Sequence, residues 1–134
     1  MKTIKGTKRD LVAILKGLLE VQELEGAEFG MAVAKNLKLL QDKLQDIEDM
    51  GQVSPQFLAV AREVAQLTQD EKLDEAKKLE DANINLLEER KTQLAVVDKA
   101  LEKTASIKLY TIARRMLPKV ITGKQIYGIT TILE

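Results

Sequence analysis

The chain contains no cysteine and no histidine. Without cysteine it has no disulfide framework, and without either residue the usual zinc sites and a Cys/His nucleophilic centre are excluded. Tryptophan is also absent, and two phenylalanines and two tyrosines are too few for the stacked-base platforms that bind single-stranded nucleic acid. The lack of cysteine is compatible with a reducing compartment, so we expect a cytoplasmic protein.

Long hydrophobic runs are missing as well. The apolar stretch from Leu11 to Val21 is interrupted by Lys16 and Glu20, which makes it neither a membrane span nor a signal peptide. We therefore expect no membrane partner. A length of 134 residues is typical of one domain, so the sequence predicts a single helical domain over residues 1–134.

Recognisable catalytic motifs are absent too. The chain has no glycine-rich phosphate loop, no nucleophile elbow and no histidine base. Neighbouring acids such as Glu88 and Glu89 point in different directions on a helix and are expected to be solvated. The sequence therefore predicts a protein that is not an enzyme and has no cofactor, although a magnesium site built from carboxylates stays open.

Charge is sorted along the chain. Residues 1–9 carry four cations and no anion, residues 106–134 carry five cations and one anion, and residues 10–105 carry 12 cations and 20 anions. If folding joins the two ends, the resulting basic face would attract a phosphate, a nucleotide or an acidic partner. The alternative is that separated charge serves only solubility. Duplex DNA is a weaker candidate, because the acidic middle would repel its backbone.

Apolar periodicity predicts helices over most of the chain. Thr7 followed by Asp10 forms an N-terminal cap for a first helix, and apolar residues from Phe29 to Ile47 recur every three or four positions, as in a coiled-coil seam that ends at Gly51. The off-seam side chains Leu39, Leu86 and Val96 would be exposed in a monomer. A dimer or larger homo-oligomer is therefore expected.

A third helix is predicted to begin at Ser54 and Pro55, since serine caps a free amide and proline fits the first helical position. The segment 55–104 contains no further glycine or proline. It is either one helix of about fifty residues or two helices joined near residues 68–72, and we favour the break.

The C-terminal part has a different pattern. Apolar and polar residues alternate over residues 106–112, which predicts a strand, and the segment Met1–Lys5 is its one candidate partner. A capping box of Thr122 and Gln125 then predicts a short last helix. The expected fold is mainly α: a long antiparallel helical hairpin or small bundle, a minor two-stranded β element joining the N-terminus to residues 106–112, and a short C-terminal helix.

A ligand pocket can be assembled from these elements. Asn36 lies on the apolar seam and needs a partner for its amide, which is either a neighbouring helix end, the same residue across a dimer, or a ligand. In the ligand-binding alternative an aromatic ring stacks, the amide forms hydrogen bonds and cations neutralise phosphate. The candidate ligand-binding residues are Phe29, Lys35, Asn36, Arg114, Arg115, Lys119, Lys124 and Tyr127.

Three segments carry a family resemblance. They are LLEVQELEGAEFGMAVAKNLKLLQDKL, SPQFLAVAREVAQL and LYTIARRMLPKVITGKQIYGITTILE. Together they resemble small proteins of unknown function encoded by phages and prophages of Gram-positive bacteria. With the basic ends and the missing catalytic motifs, this resemblance implies a non-enzymatic phage-type protein that forms an oligomer and sequesters an anionic ligand, such as a host immune nucleotide signal. The alternative is a virion assembly or tail-associated protein, or an inhibitor that binds a host protein.

Overall fold

The computed structural model describes all 134 residues and confirms the mainly α fold with a minor sheet. Seven α-helices and two strands follow one another as β1 (Lys2–Thr7), α1 (Lys8–Val21), α2 (Ala27–Lys43), α3 (Gln45–Met50), α4 (Pro55–Gln69), α5 (Leu73–Ala82), α6 (Ile84–Leu101), β2 (Thr104–Leu109) and α7 (Gly123–Gly128). Short 3₁₀ turns occupy Arg114–Met116 and Thr130–Ile132. None of the helices combines the length and the apolar character that a membrane span requires.

The residues group into two compact units. We call residues 1–46 and 100–134 the body unit and residues 47–99 the hairpin unit. The body unit carries 14 lysines and arginines against nine acidic residues, whereas the hairpin unit carries seven against twelve. The sorting of charge along the sequence is therefore a sorting between units.

The two chain ends meet in the body unit, as predicted. β1 and β2 pair antiparallel from Lys2 opposite Leu109 to Thr7 opposite Thr104. The second strand begins two residues earlier than expected and stops at Leu109, before the predicted end at residue 112. Ile112 instead forms an isolated parallel bridge with Leu133.

The core of the body unit lies between α1, α2 and the two chain ends. The predicted seam of α2 is buried from Phe29 to Leu44, and it packs with α1 and the strands. Helix α7 lies directly on α1, because Gly17 and Gly128 allow close approach: a Cβ built on Gly128 would lie 3.3 Å from the Cα of Gly17. The large side chains buried with them are Leu11, Leu18, Val21, Leu109, Ile112, Ile129 and Ile132.

The hairpin unit contains α4, packed against α5, and most of α6. Ser54 caps α4 through its hydroxyl oxygen, which accepts the Phe57 N–H at 3.1 Å, as predicted. The predicted break near residues 68–72 is confirmed. There Glu71 takes the left-handed conformation with φ of 60°, and the Lys72 N–H donates to the Leu67 carbonyl at 2.8 Å, which ends α4 in a Schellman-type turn.

Two helix breaks were not predicted. The α2 seam is interrupted at Leu44, and the segment 73–101 is split at Asn83 into α5 and α6. The Asn83 side-chain amide donates to the Leu79 carbonyl at 2.9 Å, so it competes locally with the helix ladder. Neither break contains glycine or proline, so the apolar pattern predicted continuous helices at both positions.

The hairpin unit buries very little. Ala76 is its one fully buried residue, and the apolar side chains of α4 are half-buried or exposed. Of the residues on which the oligomer prediction rested, Leu39 in the body unit and Leu86 in the hairpin unit are half-buried, while Val96 is exposed. The oligomeric state itself stays a prediction.

Candidate anion-binding site

One cleft in the body unit brings predicted ligand-binding residues together. Its wall on α2 is formed by Glu28, Met31, Ala32 and Lys35, which share a helix face because they are three, four and seven positions apart. The opposite wall comes from the segment after β2. It is formed by Tyr110, Thr111, Arg115 and Met116. The cavity volume is about 320 Å³.

Asn36 holds the segment that carries Tyr110. Its side chain is 0% exposed, its oxygen accepts the Tyr110 N–H at 2.7 Å, and its amide nitrogen donates to the Tyr110 carbonyl at 2.9 Å. The sheet ends at Leu109, so the backbone of the next residue has no strand partner and the side-chain amide replaces it. The expectation that Asn36 is buried with a satisfied amide is confirmed. Its partner is this backbone rather than a helix end or a second protomer.

Phe29 is part of the core. It lies in the first turn of α2 and is 1% exposed. A ring without accessible surface cannot stack on a ligand, so the stacking role that the sequence suggested for Phe29 is wrong for this conformation. Phe29 and Asn36 act behind the cleft wall instead of on its surface.

Two predicted cations do face the cleft. The Lys35 ammonium lies 5.2 Å from the centre of the Tyr110 ring, within the range of a cation–π interaction. The Arg115 Nη1 lies 3.0 Å from the Glu28 Oε2, with 75% and 66% of the two side chains exposed. Such an exposed ion pair contributes at most about 1 kcal/mol, so an incoming anion can take over the guanidinium at small cost.

The remaining predicted residues lie elsewhere in the body unit. The Arg114 Nε donates to the Glu134 backbone carbonyl at 3.3 Å. Lys119 lines a separate groove that also contains Glu23 and Glu25. Tyr127 lines a third groove, and Lys124 precedes it by one turn on α7. The eight predicted residues therefore do not form one site.

Acidic residues compensate part of the basic end of the chain. Lys8 pairs with Asp46, and the Arg9 Nε lies 2.9 Å from the Glu102 Oε1. Both pairs link the N-terminal segment to residues of the acidic middle region. The basic face inferred from composition is consequently smaller than a count of its charges suggests.

Sequence reasoning missed six of the eight members of the cleft: Glu28, Met31, Ala32, Tyr110, Thr111 and Met116. A signal for three of them was available, since Glu28, Met31 and Ala32 share the helical face of Lys35. No pattern indicated Tyr110, because its position depends on the long-range bond to Asn36. No group of three or more acidic residues is placed to hold a metal ion.

No protein-family model, curated protein or solved structure matches this chain.

Proposed function

We propose that the protein is a non-enzymatic binding protein that takes up a small anionic ligand in the cleft between Lys35, Tyr110 and Arg115. The observation that carries this proposal is the convergence of two exposed cations and a tyrosine ring on one cavity, from segments 75 residues or more apart in sequence. The ammonium supplies a point charge and the guanidinium supplies two parallel donors, which together suit a phosphate or carboxylate.

The ligand class follows from the shape and lining of the cleft. A volume of about 320 Å³ is at the lower end of the range for small-molecule sites, which fits a mononucleotide better than a larger molecule. Met31, Ala32 and Met116 offer an apolar wall, and flexible thioethers adapt to the flat face of a base. In this arrangement the phosphate lies between Lys35 and Arg115.

Binding without catalysis is part of the proposal. The one carboxylate in the cleft, Glu28, is paired with Arg115, and the chain supplies no histidine or cysteine as base or nucleophile. A protein of this kind lowers the free concentration of its ligand. We further propose that the protein is phage-encoded and that the sequestered ligand is a host immune nucleotide.

Native mass spectrometry with a panel of linear and cyclic nucleotides tests the proposal. The wild-type protein is expected to gain whole-number ligand masses. Because a charge-assisted hydrogen bond contributes about 1.5–3 kcal/mol, Arg115→Ala or Lys35→Ala is expected to weaken binding about 10- to 100-fold.

The matched control is Lys38→Ala. Lys38 is on the same helix, pairs with Asp42 at 3.6 Å and is not part of the cleft. Equal losses in Lys35→Ala and Lys38→Ala would mean that only overall charge matters and would contradict a defined site.

A second function, assembly with a virion or host protein, is favoured by a different observation. The hairpin unit buries one residue and leaves Ile84, Leu94 and Val96 about half exposed. A partner protein that covered these side chains would explain them. Under this alternative, Arg115→Ala leaves association with the partner unchanged, and substitutions in the hairpin unit abolish it.

A further inference from the structure

The turn between α4 and α5 presents a leucine surrounded by carboxylates. We call residues 70–75 the hairpin tip. Leu73 is 64% exposed, the largest exposure of any large apolar side chain in the hairpin unit. Four of its five tip neighbours are acidic: Asp70, Glu71, Asp74 and Glu75. The Schellman-type hydrogen bond from the Lys72 N–H to the Leu67 carbonyl fixes the backbone of this turn, so the backbone holds Leu73 at a defined position.

The body unit has a groove of the opposite character. We call it the Tyr127 groove; its volume is about 590 Å³, and its lining includes Ile4, Lys5, Ile14, Tyr127 and Thr131. Ile4 and Ile14 are nearly buried and form an apolar floor, whereas Tyr127 is 83% exposed at the edge. A leucine side chain would remove apolar surface from water by packing on such a floor.

One lysine lines this groove, and two more lie beside its lining residues. Lys5 lines it, the Lys2 ammonium donates to the Thr131 carbonyl at 3.0 Å, and Lys124 lies one turn before Tyr127 on α7. The one carboxylate in the lining, Asp10, already accepts the Thr7 N–H at 2.9 Å in the capping box of α1. The groove therefore combines an apolar floor with a basic rim.

The hairpin tip and the Tyr127 groove are complementary in both respects. The tip has an exposed leucine and four carboxylates, and the groove has an apolar floor and three lysines, which matches the arrangement of an apolar interface centre with a polar rim. The complementarity extends to the units, since the body unit has an excess of five basic residues and the hairpin unit an excess of five acidic residues. Each copy of the chain carries one hairpin tip and one Tyr127 groove, so the two surfaces are always present at equal concentration.

We propose that the hairpin tip of one protomer docks into the Tyr127 groove of a second copy, with Leu73 on the apolar floor. Two different surfaces meet in such a contact, so the interface is heterologous. The protomer that supplies the tip keeps a free groove and its partner keeps a free tip, and both can bind further copies. This inference goes beyond the proposed function and shares no residue with the anion-binding cleft. Ligand binding and self-association can therefore fail independently.

Sedimentation velocity of wild type, Leu73→Ala and Tyr127→Ala tests this interface. Wild type is expected to exceed the 15.0 kDa protomer mass. Each variant removes an exposed side chain, so the fold, checked by circular dichroism, is expected to stay intact. Because burying a leucine side chain contributes about 2 kcal/mol, Leu73→Ala is expected to raise the dissociation constant about 30-fold. Tyr127→Ala removes the edge of the groove and is expected to raise the dissociation constant as well, by a smaller factor. Ile84→Ala, which trims another exposed side chain of the hairpin unit, is the control and is expected to associate like wild type.

Mixing the two variants gives the decisive result. Leu73→Ala retains an intact groove and Tyr127→Ala retains an intact tip, so the mixture is expected to form one-to-one heterodimers that grow no further. Raising the salt from about 0.05 M to about 0.5 M is expected to weaken association, since the charged rim is exposed. A monomeric wild type, a Leu73→Ala variant that associates normally, or a mixture without heterodimers would overturn the proposal. A monomer that binds a foreign protein through Leu73 would assign the tip to that partner instead.

Discussion

Replacing Asn36 by leucine is expected to destabilise the body unit strongly. The substitution removes two hydrogen bonds, of 2.7 and 2.9 Å, and leaves the Tyr110 N–H and carbonyl facing an apolar side chain. Each lost bond costs about 1 kcal/mol net, and leaving the polar groups unpaired adds about 1–3 kcal/mol, so a total loss of about 3–5 kcal/mol is expected. In a chain of this size, that corresponds to a fall in melting temperature of about 10 °C or more.

Urea unfolding followed by circular dichroism measures this loss, with Asn85→Leu as the matched control. Asn85 is exposed on α6, and its replacement is expected to change the free energy of unfolding by less than about 0.5 kcal/mol. If Asn36→Leu also changed stability by less than about 1 kcal/mol, the bidentate contact would not be what holds Tyr110 in place.

Asn36→Asp adds a pH dependence to the same test. A protonated carboxyl can still donate to the Tyr110 carbonyl, whereas the ionised form is buried and faces that carbonyl oxygen without a proton. The pKa of the introduced carboxyl is therefore expected to rise in the folded state above its unfolded value of about 3.9. A raised folded pKa means that the stability of this variant relative to wild type is greatest below pH of about 4 and falls as the pH increases. A stability difference that moved in the variant's favour as the pH increased would contradict the assigned contact.

Four further substitutions test the fold. Gly17→Ala is expected to destabilise the protein by about 1–3 kcal/mol, because the new Cβ would lie 2.7 Å from the carbonyl carbon of Gly128. Gly30→Ala on α2 is expected to stabilise it by about 1 kcal/mol, because the new Cβ meets nothing within 4 Å. Thermal unfolding of both variants distinguishes the effect of close packing from that of helix propensity. Glu71→Gly is expected to stabilise by about 0.5–1 kcal/mol because glycine adopts the φ of 60° without strain, and an unchanged midpoint in urea would contradict this. Arg90→Met is expected to cost about 1–3 kcal/mol, since the guanidinium bond to the Gly51 carbonyl at 2.9 Å is lost, and loss of amide protection at the end of α3 in hydrogen exchange measures it.

Local chemistry made several elements predictable from the sequence. The capping box of Thr7 and Asp10, the start at Ser54 and the capping box of Thr122 and Gln125 depend on residues within three positions of each other, and all three were confirmed. The pairing of the chain ends was predictable for a different reason. A lone strand has unpaired backbone groups, and the sequence offered one partner.

Features that depend on distant contacts were not predictable. Whether Asn36 faces a ligand or a backbone depends on where β2 ends, and Tyr110, the residue that it contacts there, is 74 positions away in the sequence. The interruption at Asn83 depends on one side-chain hydrogen bond that competes with the helix, while propensity and periodicity both favour continuation. The candidate site was also predicted without knowledge of distant contacts. The sequence named eight possible ligand-binding residues, and the fold brings two of them, Lys35 and Arg115, into one cleft.

The proposal for anion binding is tested most directly by recording amide chemical shifts while a nucleotide found in the mass-spectrometry panel is added to the ¹⁵N-labelled protein. If the cleft binds the anion, the largest saturable shifts are expected at Tyr110, Thr111 and Arg115, and they are expected to disappear in Arg115→Ala while persisting in Lys38→Ala. Saturable shifts centred on Lys119 or Lys124, or shifts of equal size in wild type and Arg115→Ala, would contradict the proposed site.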